Sequence, residues 1–152
     1  MKPNKPNKSN KTLNPQKTFE ALLASKGLKM TKQRQAILDY LLNSDEHLTP
    51  EELYRNLNKT DDTLGRATVF RTLHLLEDGG FVNKINLANG RQAYEHQFSK
   101  PHHDHMICTQ CSAVIEFCNP TIERLQSKIT KKFGFAALWH RHEIFGKCKK
   151  CQ

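Results

Sequence analysis

Apolar residues along this chain recur mostly at intervals of three and four, and the stretches where they do so predict five helices. The first is short, over about residues 17–26, and Gly27 closes it. Thr31 is placed as an N-cap, with Ile37, Leu38, Leu41 and Leu42 at helical spacing behind it. Thr49-Pro50-Glu51-Glu52 combines a hydroxyl cap, a proline at the first helical position and a glutamate set for a capping box. That helix carries Leu53 and Leu57 and should end near Asn58. The polar stretch 59–65 leads to another helix over about 66–78, stopped by Gly79-Gly80. The pattern then shortens to two strand-like runs, 81–87 and 91–96, separated by Asn89-Gly90, a strong hairpin signal. Helices followed by a hairpin in this order predict a winged helix-turn-helix.

A hinge is expected at 98–101. Beyond it come strands at about 105–109 and 113–117, then a helix capped by Asn119-Pro120 and a final strand over about 135–145. Ile122, Leu125, Ile129 and Phe133 are read as that helix's buried stripe. The expected fold is α+β, with a winged helix-turn-helix over 18–97 and a small α/β domain over 102–152. Residues 1–17, rich in Asn, Lys and Pro, are expected to form a disordered basic tail.

A formal net charge of +9 makes a polyanionic partner plausible. No run of eighteen apolar residues is present, and the basic N-terminus lacks the apolar core of a signal peptide, so a cytoplasmic location is expected. On the 66–78 helix, Val69, Leu73 and Leu76 should face the core, leaving Ala67, Phe70, Arg71 and His74 outward. An outward phenylalanine calls for a partner, and a thymine methyl in a major groove is one. Arg71 is set to fork onto guanine or grip a phosphate. Lys29 and Arg34 are candidates for phosphate or minor-groove contacts, with plain surface charge as the alternative.

Five cysteines stand at 108, 111, 118, 148 and 151. Two C-x-x-C pairs in a reducing compartment read as a closed four-thiolate site for structural zinc, with a redox dithiol as the lesser alternative. Cys118 has no evident partner. His102-His103-Asp104-His105 is dense in donors. On an extended strand, His103 and His105 share one face while His102 and Asp104 share the other, so one segment can serve two metal sites. Imidazoles and carboxylates without thiolate suit Fe(II), Mn(II), Co(II) or Zn(II). His74 and His142 are read as non-ligands.

These residues resemble the ferric uptake regulator family. The resemblance rests on Leu28-Lys-Met-Thr-Lys-Gln-Arg34, Ala67-Thr-Val-Phe-Arg-Thr-Leu73, His102-His-Asp-His-Met-Ile-Cys-Thr-Gln-Cys111, Val114-Ile-Glu-Phe117 and Gly146-Lys-Cys-Lys-Lys-Cys151, spread over about residues 20–151. It implies structural zinc on Cys108, Cys111, Cys148 and Cys151. It implies a regulatory Fe(II) site on His47, Glu95, His103, His105 and Glu116, where Mn(II), Co(II) or Zn(II) can substitute. It implies an additional site on His102, Asp104, Glu123 and His140. It also implies a homodimer, with dimer versus tetramer left open, and an inverted-repeat operator, for which Lys29, Arg34, Ala67, Thr68, Phe70 and Arg71 are the candidate DNA contacts. Phe70 replaces the family's usual tyrosine, and His96 beside Glu95 is a rival ligand. Glu116, where peroxide sensors of the family carry aspartate, favours an iron sensor; a zinc sensor would want a thiolate, and Cys118 is the only spare. The competing classes are a metal-dependent hydrolase or thiol oxidoreductase, which needs an open metal position or a reactive cysteine, and a purely structural zinc module.

Overall fold

The computed structural model describes residues 14–98 and 100–152. Positions 1–13 of the expected tail, and Ser99 of the expected hinge, lie outside the described residues. The chain divides into two compact units: one reaches Asn86 and includes Gly90–Lys100, and the other comprises Leu87–Asn89 and Pro101–Gln152.

The first unit opens with helix α1 (Pro15–Ser25), which starts two residues before its expected position. The Asn14 side chain accepts from the amides of Gln16 and Lys17 at 3.0 and 3.3 Å, and Pro15 takes the first helical position. Residues 15–17 are therefore helix rather than disordered tail. Helix α2 (Lys32–Leu42) begins at Thr31, whose hydroxyl accepts from the Arg34 amide. Helix α3 (Pro50–Leu57) has the full capping box, with the Glu52 amide donating to the Thr49 hydroxyl and the Thr49 amide donating to the Glu52 carboxylate. Helix α4 (Arg66–Asp78) stops at Gly79, where a Cβ would sit 2.5 Å from Leu22 and 2.7 Å from the Phe81 ring. A larger residue there would have to push the Leu22 and Phe81 side chains aside.

Strands β1 (Val82–Asn86) and β2 (Gln92–His96) form an antiparallel wing, each slightly shorter than its apolar run, around Gly90 at φ 77°. Leu48 bridges to Tyr94 through two backbone hydrogen bonds, adding a third chain segment to the wing. Val69, Leu73 and Leu76 of α4 are buried with Phe19, Ile37, Leu53 and Phe81 in one core.

The second unit is a three-stranded sheet with β3 (Asp104–Cys108) in the centre. Strand β4 (Val114–Phe117) lies antiparallel to it and β5 (Glu143–Gly146) parallel. A parallel neighbour needs a crossover, and α5 (Pro120–Lys132), capped by Asn119, lies within that connection. The last strand is much shorter than the expected 135–145. The pairing with β3 runs only from His105 to Cys108, so residues 135–142 join no strand ladder among the described residues and stay irregular.

The expected buried stripe on α5 is not buried within this chain. Among the described residues no side chain of α5 is buried; Leu125 is 56% exposed, Ile129 48% and Phe133 77%. The helical period is present, but among the described residues of its own unit no second layer covers it. Ile115, Phe135, Leu138, Ile144 and Phe145 are exposed in the same unit. An apolar surface of this extent marks an interaction face. Among the described residues no helix is long and apolar enough to cross a membrane.

Candidate metal centres

Cys108 ends β3 and Cys148 follows β5 by two residues. The parallel register sets Cys108 beside Gly146, and the Thr109 amide donates to the Gly146 carbonyl at 2.8 Å, so the two C-x-x-C turns lie side by side. Each turn is closed by its own backbone bond, from Ser112 to Cys108 in the first and from Cys151 to Cys148 in the second. Ser112 takes φ 61° to let the first turn reverse. The four sulfurs lie within 4.8 Å of one another, with Cys111 Sγ 3.7 Å from Cys148 Sγ. A zinc tetrathiolate with bonds of ~2.3 Å requires sulfurs roughly 3.8 Å apart, and all five cysteines are free thiols. Backbone amides of Cys111, Cys148 and Gln110 pull the Cys108 thiol down to about 6, whereas hydrogen bonds with the thiols of Cys148 and Cys111 push Cys151 up to about 12. Four sulfur donors this close suit a cation that would take them as thiolates, and zinc fits the geometry and the donors.

A second cluster in the same unit joins His102, Asp104, Glu123 and His140, whose donor atoms also lie within 4.8 Å of one another. His102 Nε2 is 3.5 Å from both Asp104 Oδ1 and Glu123 Oε1, and His140 Nε2 is 3.8 and 3.5 Å from the same oxygens. Asp104 is 1% exposed, and its oxygens, Glu123 Oε1 and His140 Nε2 are buried without a hydrogen-bond partner. Buried carboxylate oxygens without donors are costly. A divalent cation among them would satisfy all four groups.

The opposite parity of the same segment gathers a third set. His105 pairs directly across from Glu116 in the β3–β4 register, the His103 and His105 rings meet edge-to-face at 5.0 Å, and His103 Nε2 is 3.8 Å from Glu116 Oε1. In the first unit, the Leu48–Tyr94 bridge brings His47 opposite Glu95, with Nε2 to Oε2 at 3.3 Å. Glu95 is 1% exposed; Asn83 donates to its other oxygen at 3.2 Å, and Lys100 Nζ stands 3.9 Å away. His96, on the alternate face of β2, turns to Asp45 at 3.9 Å; burial and Lys100 lower its pKa.

On α4, Ala67, Phe70, Arg71 and His74 are exposed and Thr68 is half-buried; Phe70, at 40%, is a large apolar side chain facing solvent from a helix whose other face is core. Lys29 is exposed, and Arg34 folds back to donate to the Lys29 carbonyl. Cys118 is exposed and belongs to none of the donor clusters among the described residues. His142 is the residue that sequence reasoning passed over: its Nδ1 lies 3.7 Å from Asp104 Oδ2.

The profile of the Ferric uptake regulator family matches residues 25–145. The Ferric uptake regulation protein of Campylobacter jejuni subsp. jejuni serotype O:2 is 45% identical over 135 residues, covering 88% of this chain and 85% of that protein. The fold is similar to that of the Helicobacter pylori ferric uptake regulator, a structure described as revealing three functional metal binding sites. That match has a TM-score of 0.82 at 32% identity and covers 93% of this chain and 96% of that one. The Francisella tularensis ferric uptake regulator with iron matches at a TM-score of 0.74 and 38% identity, covering 82% of this chain and 95% of that one. With its two C-x-x-C turns, its two-faced histidine strand and its winged helix, this chain belongs to the ferric uptake regulator family.

Proposed function

We propose that the chain is a metal-responsive transcriptional regulator, an Fe(II)-dependent repressor of iron-uptake genes. It acts in the cytoplasm as a homodimer, with tetramers as a further assembly, on an inverted-repeat operator in duplex DNA. The observation that carries this reading is the division of donors: His47 and Glu95 meet in the unit that holds α4, while His103, His105 and Glu116 meet in the other. Each set alone falls short of the roughly four to six donors that a divalent transition metal takes.

A divalent cation, when bound, supplies one centre of positive charge to which both sets are drawn. His47 and Glu95 then tie the DNA-reading unit, and His103, His105 and Glu116 the sheet unit, to a common point. The connection over 98–101 loses its freedom, and in a dimer the separation of the two α4 helices becomes defined against major grooves ~34–36 Å apart. Differential affinity of ~5.5 kcal/mol for the closed pose would take it from about 1% to 99% of molecules. By linkage, operator DNA must tighten metal binding equally. Iron as the effector is supported by donors without thiolate and by the ferric uptake relatives. The zinc-sensing alternative lacks its thiolate, because Cys118 stands outside the clusters. The four-thiolate site has no open coordination position for enzyme chemistry.

The test is operator binding with and without Fe(II), structural zinc retained. Wild type should gain on the order of 100-fold in apparent affinity from a shift of that size. His47→Ala and His103→Ala should keep their zinc, helicity and dimer yet lose the metal dependence. Full metal-dependent binding by either variant would show that the ligand assignment is wrong.

A further inference from the structure

Asp104 presents its two oxygens to different neighbours. Oδ1 faces the donor cluster, 3.5 Å from His102 Nε2 and 3.8 Å from His140 Nε2, while Oδ2 faces His142 Nδ1 at 3.7 Å. Oδ2 and Nδ1 are both buried, and neither has a hydrogen-bond partner. Their separation is a few tenths of an ångström beyond a hydrogen bond, so a small rotation of either side chain closes it and removes two unpaired buried atoms at once. His142 is held for this task from two sides. Its carbonyl accepts from the His105 amide at 3.2 Å just before β5, and its ring packs edge-on against Phe117 at 5.8 Å. It is not itself one of the four mutually close donors.

We propose that His142 is a positioning residue for a divalent cation at the His102, Asp104, Glu123 and His140 cluster. Its Nδ1–H holds Asp104 Oδ2, so that the carboxylate offers the ion Oδ1 alone. The inference rests on the reading of that cluster as a cation site. Held in this way, the four groups give two imidazoles and two single carboxylate oxygens, a low coordination number that suits Zn(II) or Co(II). Released, Asp104 can turn both oxygens to the ion and raise the coordination number. Outer hydrogen bonds of this kind orient the ligands and strengthen binding.

Co(II) serves as the probe, with the full chain carrying His47→Ala to disable the regulatory set and with structural zinc retained. Equilibrium affinity and visible absorption are read together, since low-coordinate Co(II) absorbs far more strongly than six-coordinate. His142→Leu should weaken Co(II) binding by roughly 10–100-fold and bleach the visible band. His142→Asn, whose amide nitrogen reaches about where Nδ1 stands, should restore both; His142→Gln, which reaches the Nε2 position instead, should not. Unchanged affinity and spectrum in His142→Leu overturn the role of His142 and leave the cluster reading intact. Absence of Co(II) uptake by the His47→Ala parent overturns the cluster reading and the proposal together. Identical behaviour of the Asn and Gln variants also overturns the proposal, and that comparison holds even where His142→Leu fails to fold.

Discussion

Cys108 lies at the end of the central strand, nearly buried, with the Cys148 amide donating to its sulfur at 3.4 Å. A serine there would keep the shape but remove the thiolate that is most readily formed. Cys108→Ser should therefore bring zinc content down to background and melt the sheet unit, seen as lost near-ultraviolet ellipticity and lost amide protection over residues 101–152. Retained zinc with unchanged melting would refute the staple. In the 102–105 run the two donor faces are legible because strand parity is legible: a period of two separates His102 and Asp104 from His103 and His105, whereas Glu116, Glu123 and His140 enter only through the family resemblance. His142 is not legible, because it stands in an irregular segment where no period applies. Its role depends on a parallel strand pairing that brings it beside Asp104 from thirty-eight positions away.

Helix α3 is defined by its ends more than by its length. Burial acts to raise the Glu52 pKa, but the bonds from the Thr49 hydroxyl and amide, with Arg91 and Arg55 nearby, outweigh it and hold the carboxyl below its ordinary value. A lowered folded value means that the charged cap stabilises fully above the unfolded-chain value of ~4.3 and is lost as pH falls through the folded one. Thr49→Ala should cost about 1 kcal/mol in urea unfolding at pH 7 and markedly less at the acid end. A cost that does not change with pH would separate the cap from Glu52 ionisation. Such cap signals make α2, α3 and α5 readable in the sequence. α1 was placed late because Asn14-Pro15 sits in a composition that otherwise reads as tail. The last strand was overextended because apolar residues such as Phe135 and Leu138 imitate a strand without an edge to pair with.

For the whole molecule, the exposed stripe on α5 matters most. A chain with net charge +9 that exposes Leu125, Ile129 and Phe133 together has a reason to cover them, and a second copy of the sheet unit has the matching apolar chemistry. Ile129→Glu should make the protein monomeric in sedimentation at micromolar concentration, since a charge at an interface centre costs ~2 kcal/mol or more. Zinc content and helicity should stay as in wild type. A variant that still sediments as a dimer would place the interface elsewhere. The pattern announced this face as apolar, yet a single sequence does not distinguish an inner stripe from one reserved for another subunit.

The pairing of the two C-x-x-C turns has one last consequence. With zinc on the four sulfurs, residues 112–147 would form a lasso whose knot is coordination rather than a covalent bond. A protease that nicks the irregular 135–142 stretch once would leave two fragments that still travel as one particle. A strong chelator, not a reductant, would set them apart.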